Sequence, residues 1–224
     1  MWADLKSAQP TLPDDPTYPQ FGFGYPVMNV TWYEAMLFAN LLSLENGLPP
    51  CYYRDAGCTV PVDSKNYESD DIYCDFNSNG YRLLTEGEWE YADRAGTDGP
   101  FFCSEGNYST STCTDCAKGL LPMLEQHMVF CADSSGPEPA EGKLANPWGL
   151  HNMNGNVREW CWDWCEDYPE GGPDYAGPEC GTHRVERGSM FVYLPRNLRS
   201  SMRAGFEPGT VGQYLGFRLA RTVY

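Results

Sequence analysis

The decisive stretch runs Asn146-Pro147-Trp148-Gly149-Leu150, then Met153-Asn154-Gly155-Asn156-Val157, then Glu159-Trp160-Cys161-Trp162-Asp163-Trp164. Its first part is turn chemistry, since Gly, Pro and Asn each favour tight or left-handed backbone. Its last part reads as a strand. There Trp160, Trp162 and Trp164 alternate, and a period of two puts the three indoles on one face. The plainer reading of that face is core; the other is a platform on which sugar or peptide stacks. Further on, aromatic segments alternate with Gly turns, and Leu215 to Ala220 reads as another strand.

Two helices are expected upstream. Thr31-Trp32-Tyr33-Glu34 forms a capping box, Thr31 capping the first turn while Glu34 reaches back. Trp32, Ala35, Met36, Ala39 and Leu42 or Leu44 follow at helical spacing, and Gly47 with Pro49-Pro50 stops the run. Thr85-Glu86-Gly87-Glu88 opens a second helix, with Trp89 and Ala92 on its apolar face, ending near Ala95-Gly96. Between the two, residues 51–80 are polar with few strand signals, and Gly80 to Leu84 is a short strand. Residues 97–145 form an irregular, cysteine-containing insert; a loop of that length needs pinning or a function.

The chain has 224 residues, 42% of them apolar, which fits one domain, residues 1–224, with a real core. Twenty-three glycines and 18 prolines imply a loop-rich fold. A net charge of −16 repels nucleic acid and anionic membranes, and no apolar run is long enough to span a bilayer. Ten cysteines favour disulfides and an oxidising compartment, periplasmic or secreted. Cys51 with Cys58, Cys103 with Cys113 and Cys116, and Cys161 with Cys165 have the spacing of closed loops. Zinc is the weaker idea, because the single CxxC at Cys113 and Cys116 has no second half. The N-terminus lacks a leader's basic start and apolar stretch, so an extracytoplasmic place needs a leader not present in this chain.

The segments quoted so far fall in an order that resembles the formylglycine-generating enzyme (sulfatase-modifying factor) family. They are joined by Pro26-Val27-Met28-Asn29-Val30, Gly80-Tyr81-Arg82-Leu83-Leu84, Glu88-Trp89-Glu90-Tyr91-Ala92, Arg184-Val185 to Gly188, Leu198-Arg199-Ser200, Arg203, and Leu215-Gly216-Phe217-Arg218-Leu219-Ala220-Arg221. The resemblance implies an α+β fold of C-type lectin-like kind, loop-rich, with two helices around short mixed sheets. It also implies a trimmed start, since the family's extra N-terminal strands have no counterpart and Trp2 to Leu5 matches the end of the helix that follows them.

The resemblance further implies a structural calcium, with side-chain oxygens from Asn152 and Glu159 and backbone carbonyls from Gly155 and Val157. Mixed oxygen donors suit that ion; the alternative is a tight turn capped by Asn with Glu159 paired to an arginine. The family's oxidase chemistry uses two cysteine thiolates to bind copper, and soft thiolates suit copper(I). The matching positions here are Tyr193 and Leu198, so copper and the formylglycine route are not expected. Nor do His127, His151 and His183 make an HxxxH pair.

The segment from Phe191 to Asn197 matches the family's substrate groove and the ligand-facing surface of retroelement-diversified variable proteins. Tyr193, Arg196, Asn197, Phe206 and Tyr214 are therefore the candidate ligand face. The expected function is a calcium-stabilised extracytoplasmic binding or accessory protein with a protein or glycan ligand. Two alternatives stand beside it: an enzyme of the same superfamily with other chemistry (a hydrolase or protein-modifying oxidoreductase), and a retroelement-diversified ligand-binding protein.

Overall fold

A computed structural model describes residues 24–69, 71–103, 121–131, 136–167 and 175–223. The expected helix-like start at Trp2 to Leu5 lies outside the described residues, as do Cys113 and Cys116.

Helix α1, Trp32–Glu45, begins where the capping box places it. Thr31 Oγ1 accepts the Glu34 N–H at 3.1 Å, and the Glu34 carboxylate accepts the Thr31 N–H at 2.7 Å. Trp32, Ala35, Met36, Ala39 and Leu42 are buried, but so are Leu37, Phe38, Asn40 and Ser43. The helix is wrapped on nearly all sides, whereas Leu44 is left exposed. Asn40 is the polar exception. Its Nδ2 donates to the carbonyls of Tyr52 and Val62, and its Oδ1 accepts the N–H groups of Cys51 and Tyr52. One side chain thus ties the polar insert to the helix.

That insert carries strands β1, Tyr52–Tyr53, and β2, Tyr73–Cys74, paired antiparallel. Strand β3, Tyr81–Leu83, follows, then helix α2, Glu86–Arg94, opened by a second capping box and ended by Ala95 in left-handed conformation. The 97–145 insert is not wholly irregular: Pro122–His127 forms a short helix, α3, started by proline at its first turn. Leu124 and Met128 pack it against Phe101, Phe102, Leu121 and Leu198.

The main sheet has four strands in the order β6-β5-β4-β7. They are β4 (Arg158–Trp164), β5 (Arg184–Arg187), β6 (Arg203–Phe206) and β7 (Leu215–Phe217). Strands β4 and β7 run parallel and the other neighbours antiparallel. The expected strand from Leu215 to Ala220 divides. After β7 the chain leaves the sheet at Arg218, and β8, Leu219–Arg221, pairs with β3 in a separate ribbon.

The three indoles of β4 are packing groups. Trp160 and Trp164 are buried and Trp162 is half-buried. Trp160 Nε1 donates to the Val30 carbonyl, and Trp162 stacks on Tyr52 with centroids 5.5 Å apart. The Arg184 guanidinium lies 3.5 Å from the Trp164 ring centroid and 3.9 Å from that of Trp32. Such desolvated cation–π contacts hold α1 to the sheet.

Cys51, Cys58, Cys74, Cys103, Cys161, Cys165 and Cys180 carry free thiols, and Cys131 is disulfide-bonded. The closures expected from spacing at Cys51 with Cys58, at Cys103, and at Cys161 with Cys165 are therefore not made. Cys161 lies in β4 and Cys165 just beyond it. Four residues of strand span about 13 Å, roughly twice the Cα separation a disulfide spans. Cys51 is instead packed beside Gly80, far enough inside that its thiol is raised by burial, with Ser78 pulling the other way.

Candidate functional site

Strand β5 carries the sequence Arg-Val-Glu-Arg, and all four residues are buried. Three charged side chains inside a sheet must be matched by partners. Arg187 donates to Glu86 at 3.1 Å, to Glu90 and to the Ser200 carbonyl at 2.6 Å, and it lies over the Trp89 ring. Arg203, opposite Arg187 on β6, holds Glu86 with two bonds of 2.6 and 2.7 Å. Glu86 is the first residue of α2, so the helix that the capping box positions also delivers the carboxylates.

On the other face of β5, Glu186 meets Arg158 of β4. Arg158 Nη1 donates to Glu186 Oε1 at 3.0 Å and Nη2 to the Gln213 carbonyl, while the guanidinium sits 4.7 Å over the Phe206 ring. Burial pushes the Glu186 carboxyl up, with Arg158 pulling it back.

These groups wall a cavity of about 210 Å³, whose lining includes Arg158, Glu186, Arg187, Tyr193, Asn197 and Phe206. Three of the five residues expected at the ligand face are thus brought together: Tyr193, Asn197 and Phe206. Arg196 is exposed beside them on the 3₁₀ turn Pro195–Leu198. Tyr214 packs instead edge-on against Phe191, 4.6 Å between centroids, and its carbonyl accepts the Arg158 N–H. Sequence reasoning missed Arg158 and Glu186. The available signal was two opposite charges in segments otherwise built for burial.

The two positions matching the family's thiolates have different fates. Tyr193 is partly exposed and lines the cavity. Leu198 is 1% exposed and belongs to the apolar cluster of Phe101, Leu124 and Met128. Among the described residues, the Met202 thioether is the one sulfur lining the cavity, and a lone thioether is a poor copper ligand.

Of the expected calcium ligands, Asn152, Gly155 and Val157 lie in the loop that leads into β4, and Glu159 is the second residue of that strand. Asn152, Gly155 and Asn156 all have positive φ, which curls the chain from His151 into β4. At Gly155 glycine is required, for a Cβ would lie 2.0 Å from the Val129 carbonyl oxygen. Asn152 Nδ2 donates to the carbonyls of Pro139 and Ala140, which fixes the amide orientation and leaves a buried Oδ1 without a partner. Glu159 is buried too. It accepts from Trp89 Nε1 at 2.7 Å and from Arg218 Nε and Nη2, each at 2.6 Å. The orphaned amide oxygen and the carboxylate oxygens are hard donors of the class calcium takes, while among the described residues no group of three or more His, Cys, Asp or Glu side chains could hold a metal ion. Arg218 already balances the Glu159 charge, so an ion would share that carboxylate.

The histidines serve separate local roles. His127 Nδ1 lies 2.9 Å from the Met123 carbonyl, His151 Nδ1 2.8 Å from that of Lys143, and His183 Nδ1 2.8 Å from Thr182 Oγ1.

The chain is 33% identical over 210 residues to the chaperone protein LppX of Paenibacillus barcinonensis, covering 88% of this chain and 70% of that protein. It is 33% identical over 157 residues to the formylglycine-generating enzyme of Thermomonospora curvata, 63% of this chain and only 49% of the enzyme. Among solved structures, Treponema denticola variable protein 1 superposes with a TM-score of 0.76 at 31% identity, over 95% of this chain and 79% of that one. Residues 7–223 match the sulfatase-modifying factor enzyme 1-like domain, and with the fold and cavity just described the chain belongs to that family.

Proposed function

We propose that this chain is a non-catalytic binding or accessory domain, extracytoplasmic and calcium-stabilised, with Tyr193, Asn197 and Phe206 at its ligand face. The observation that carries this reading is the pair of positions 193 and 198. One lines the cavity as a tyrosine and the other is locked into the core, so these two positions supply no thiolate pair. Likeness to a chaperone protein and to a variable protein supports a binding role.

Supplied with copper and a cysteine-containing sulfatase peptide, the protein should form no aldehyde. Turnover in that assay would end the reading. For the ion, calcium at about a hundred times its Kd adds about 2.7 kcal/mol. In a domain of this size that raises Tm by about 5–10 °C. A chelator should remove this increment from the wild type and leave Asn152→Gly, which keeps the backbone conformation, unmoved. Equal melts with calcium and with chelator would remove the ion from the proposal. The cysteine-rich composition and the disulfide at Cys131 support the compartment; titration of ten free thiols after denaturation would argue against it.

A further inference from the structure

We infer that the cavity beside β5 and β6 takes a neutral carbohydrate ring, with vicinal hydroxyls held between Glu186 and Arg158 and a C–H face laid on Tyr193. This rests on the ligand-face reading above and narrows it to one chemical class.

The Glu186 side chain is 6% exposed, with Oε1 taken by Arg158 and Oε2 without a hydrogen-bond partner. The Nε group of Arg158, on the same lining, has none either. Open buried donors and acceptors are costly. A ligand that both donates and accepts within a short span relieves them. Both residues line the cavity, and the open atoms themselves are buried behind its wall. The carboxylate reaches the ligand by turning about its terminal bond, a soft torsion.

The chemistry selects among ligands. An ammonium group only donates and a phosphate dianion only accepts, so each answers one half of the wall. A trans peptide unit has both functions but points them in opposite directions, whereas Glu186 and Arg158 are neighbours on one wall. Vicinal hydroxyls each donate and accept, side by side. They also suit Glu186 in either protonation form, which matters because burial raises its carboxyl. At the mouth, Tyr193 is 38% exposed and offers aromatic surface for the apolar side of a ring. The volume, about 210 Å³, is below the range of drug-sized sites, which favours one ring over a longer ligand.

Saturation-transfer NMR with the methyl pyranosides of glucose, galactose, mannose and fucose tests this, with acetyl-glutamine amide as the carboxamide probe. Chemical shifts of the Tyr193 and Phe206 rings report on the site itself. At least one pyranoside should receive saturation and move both rings. Its affinity should fall tenfold or more in Tyr193→Ala, a change at a part-exposed side chain, and in the isosteric Glu186→Gln. Sugars silent while the carboxamide moves the rings would overturn the carbohydrate class and leave the ligand face standing. Silence from every probe would overturn both. Sugar binding unchanged in both variants would place it elsewhere and overturn the proposal.

Discussion

Replacing Asn40 by leucine should lower the unfolding free energy by about 3–6 kcal/mol, with an unchanged m-value in urea. Leucine fills similar space, so cavity formation is not the cause. The loss comes from the backbone around residues 51–62. The N–H groups of Cys51 and Tyr52 and the carbonyl of Val62 lose their bonds to the amide, while the Tyr52 carbonyl keeps the Val62 N–H. Each orphaned buried group costs about 1–3 kcal/mol, and the gain from burying the leucine offsets part of the sum. A loss under about 1 kcal/mol would mean that the insert can rotate these groups to water, and that Asn40 is not its anchor.

Arg187→Met should cost about 3–5 kcal/mol, the usual penalty for leaving carboxylates buried without their cation. Glu86 retains Arg203, and Glu90 retains Arg94 at 2.8 Å. The strain should therefore concentrate on the half-buried Glu90 and on the Ser200 carbonyl. Adding Glu90→Gln to Arg187→Met should then recover about 1 kcal/mol or more. The double-mutant cycle, read from urea unfolding, isolates that coupling. Strict additivity of the two substitutions would show that Glu90 does not depend on Arg187.

Both residues mark the limit of reading from sequence. The capping boxes at Thr31 and Thr85 were legible, because their donors and acceptors lie three residues apart. So was β4, whose alternating tryptophans are a local pattern. Asn40 was not legible, since an asparagine inside a helical run looks like a surface residue until its partners 11, 12 and 22 positions away fold back on it. Strands β5 and β6 were hidden for the same reason. Arg-Val-Glu-Arg has no apolar alternation, because long-range ion pairs rather than apolar contact balance its burial. At the candidate site, Tyr193, Asn197 and Phe206 were found through resemblance. The charged wall of Arg158 and Glu186 was not, because neither residue shows its partner in its own segment. The disulfide expectation from spacing failed at Cys161 and Cys165 because sequence distance was taken as loop closure where the chain is extended.

The division of the segment after Leu215 has a consequence for biosynthesis. Strand β7 completes the main sheet beside β4, and β8 then closes the ribbon with β3, more than 130 positions earlier. A nascent chain still lacking β7 and β8 leaves both edges unpaired while it emerges from the ribosome. Non-local closure of this kind is slow and leaves exposed edges prone to association. Maturation therefore waits on translation of β7 and β8, and a chain stopped before them would carry two open edges rather than a shortened native fold.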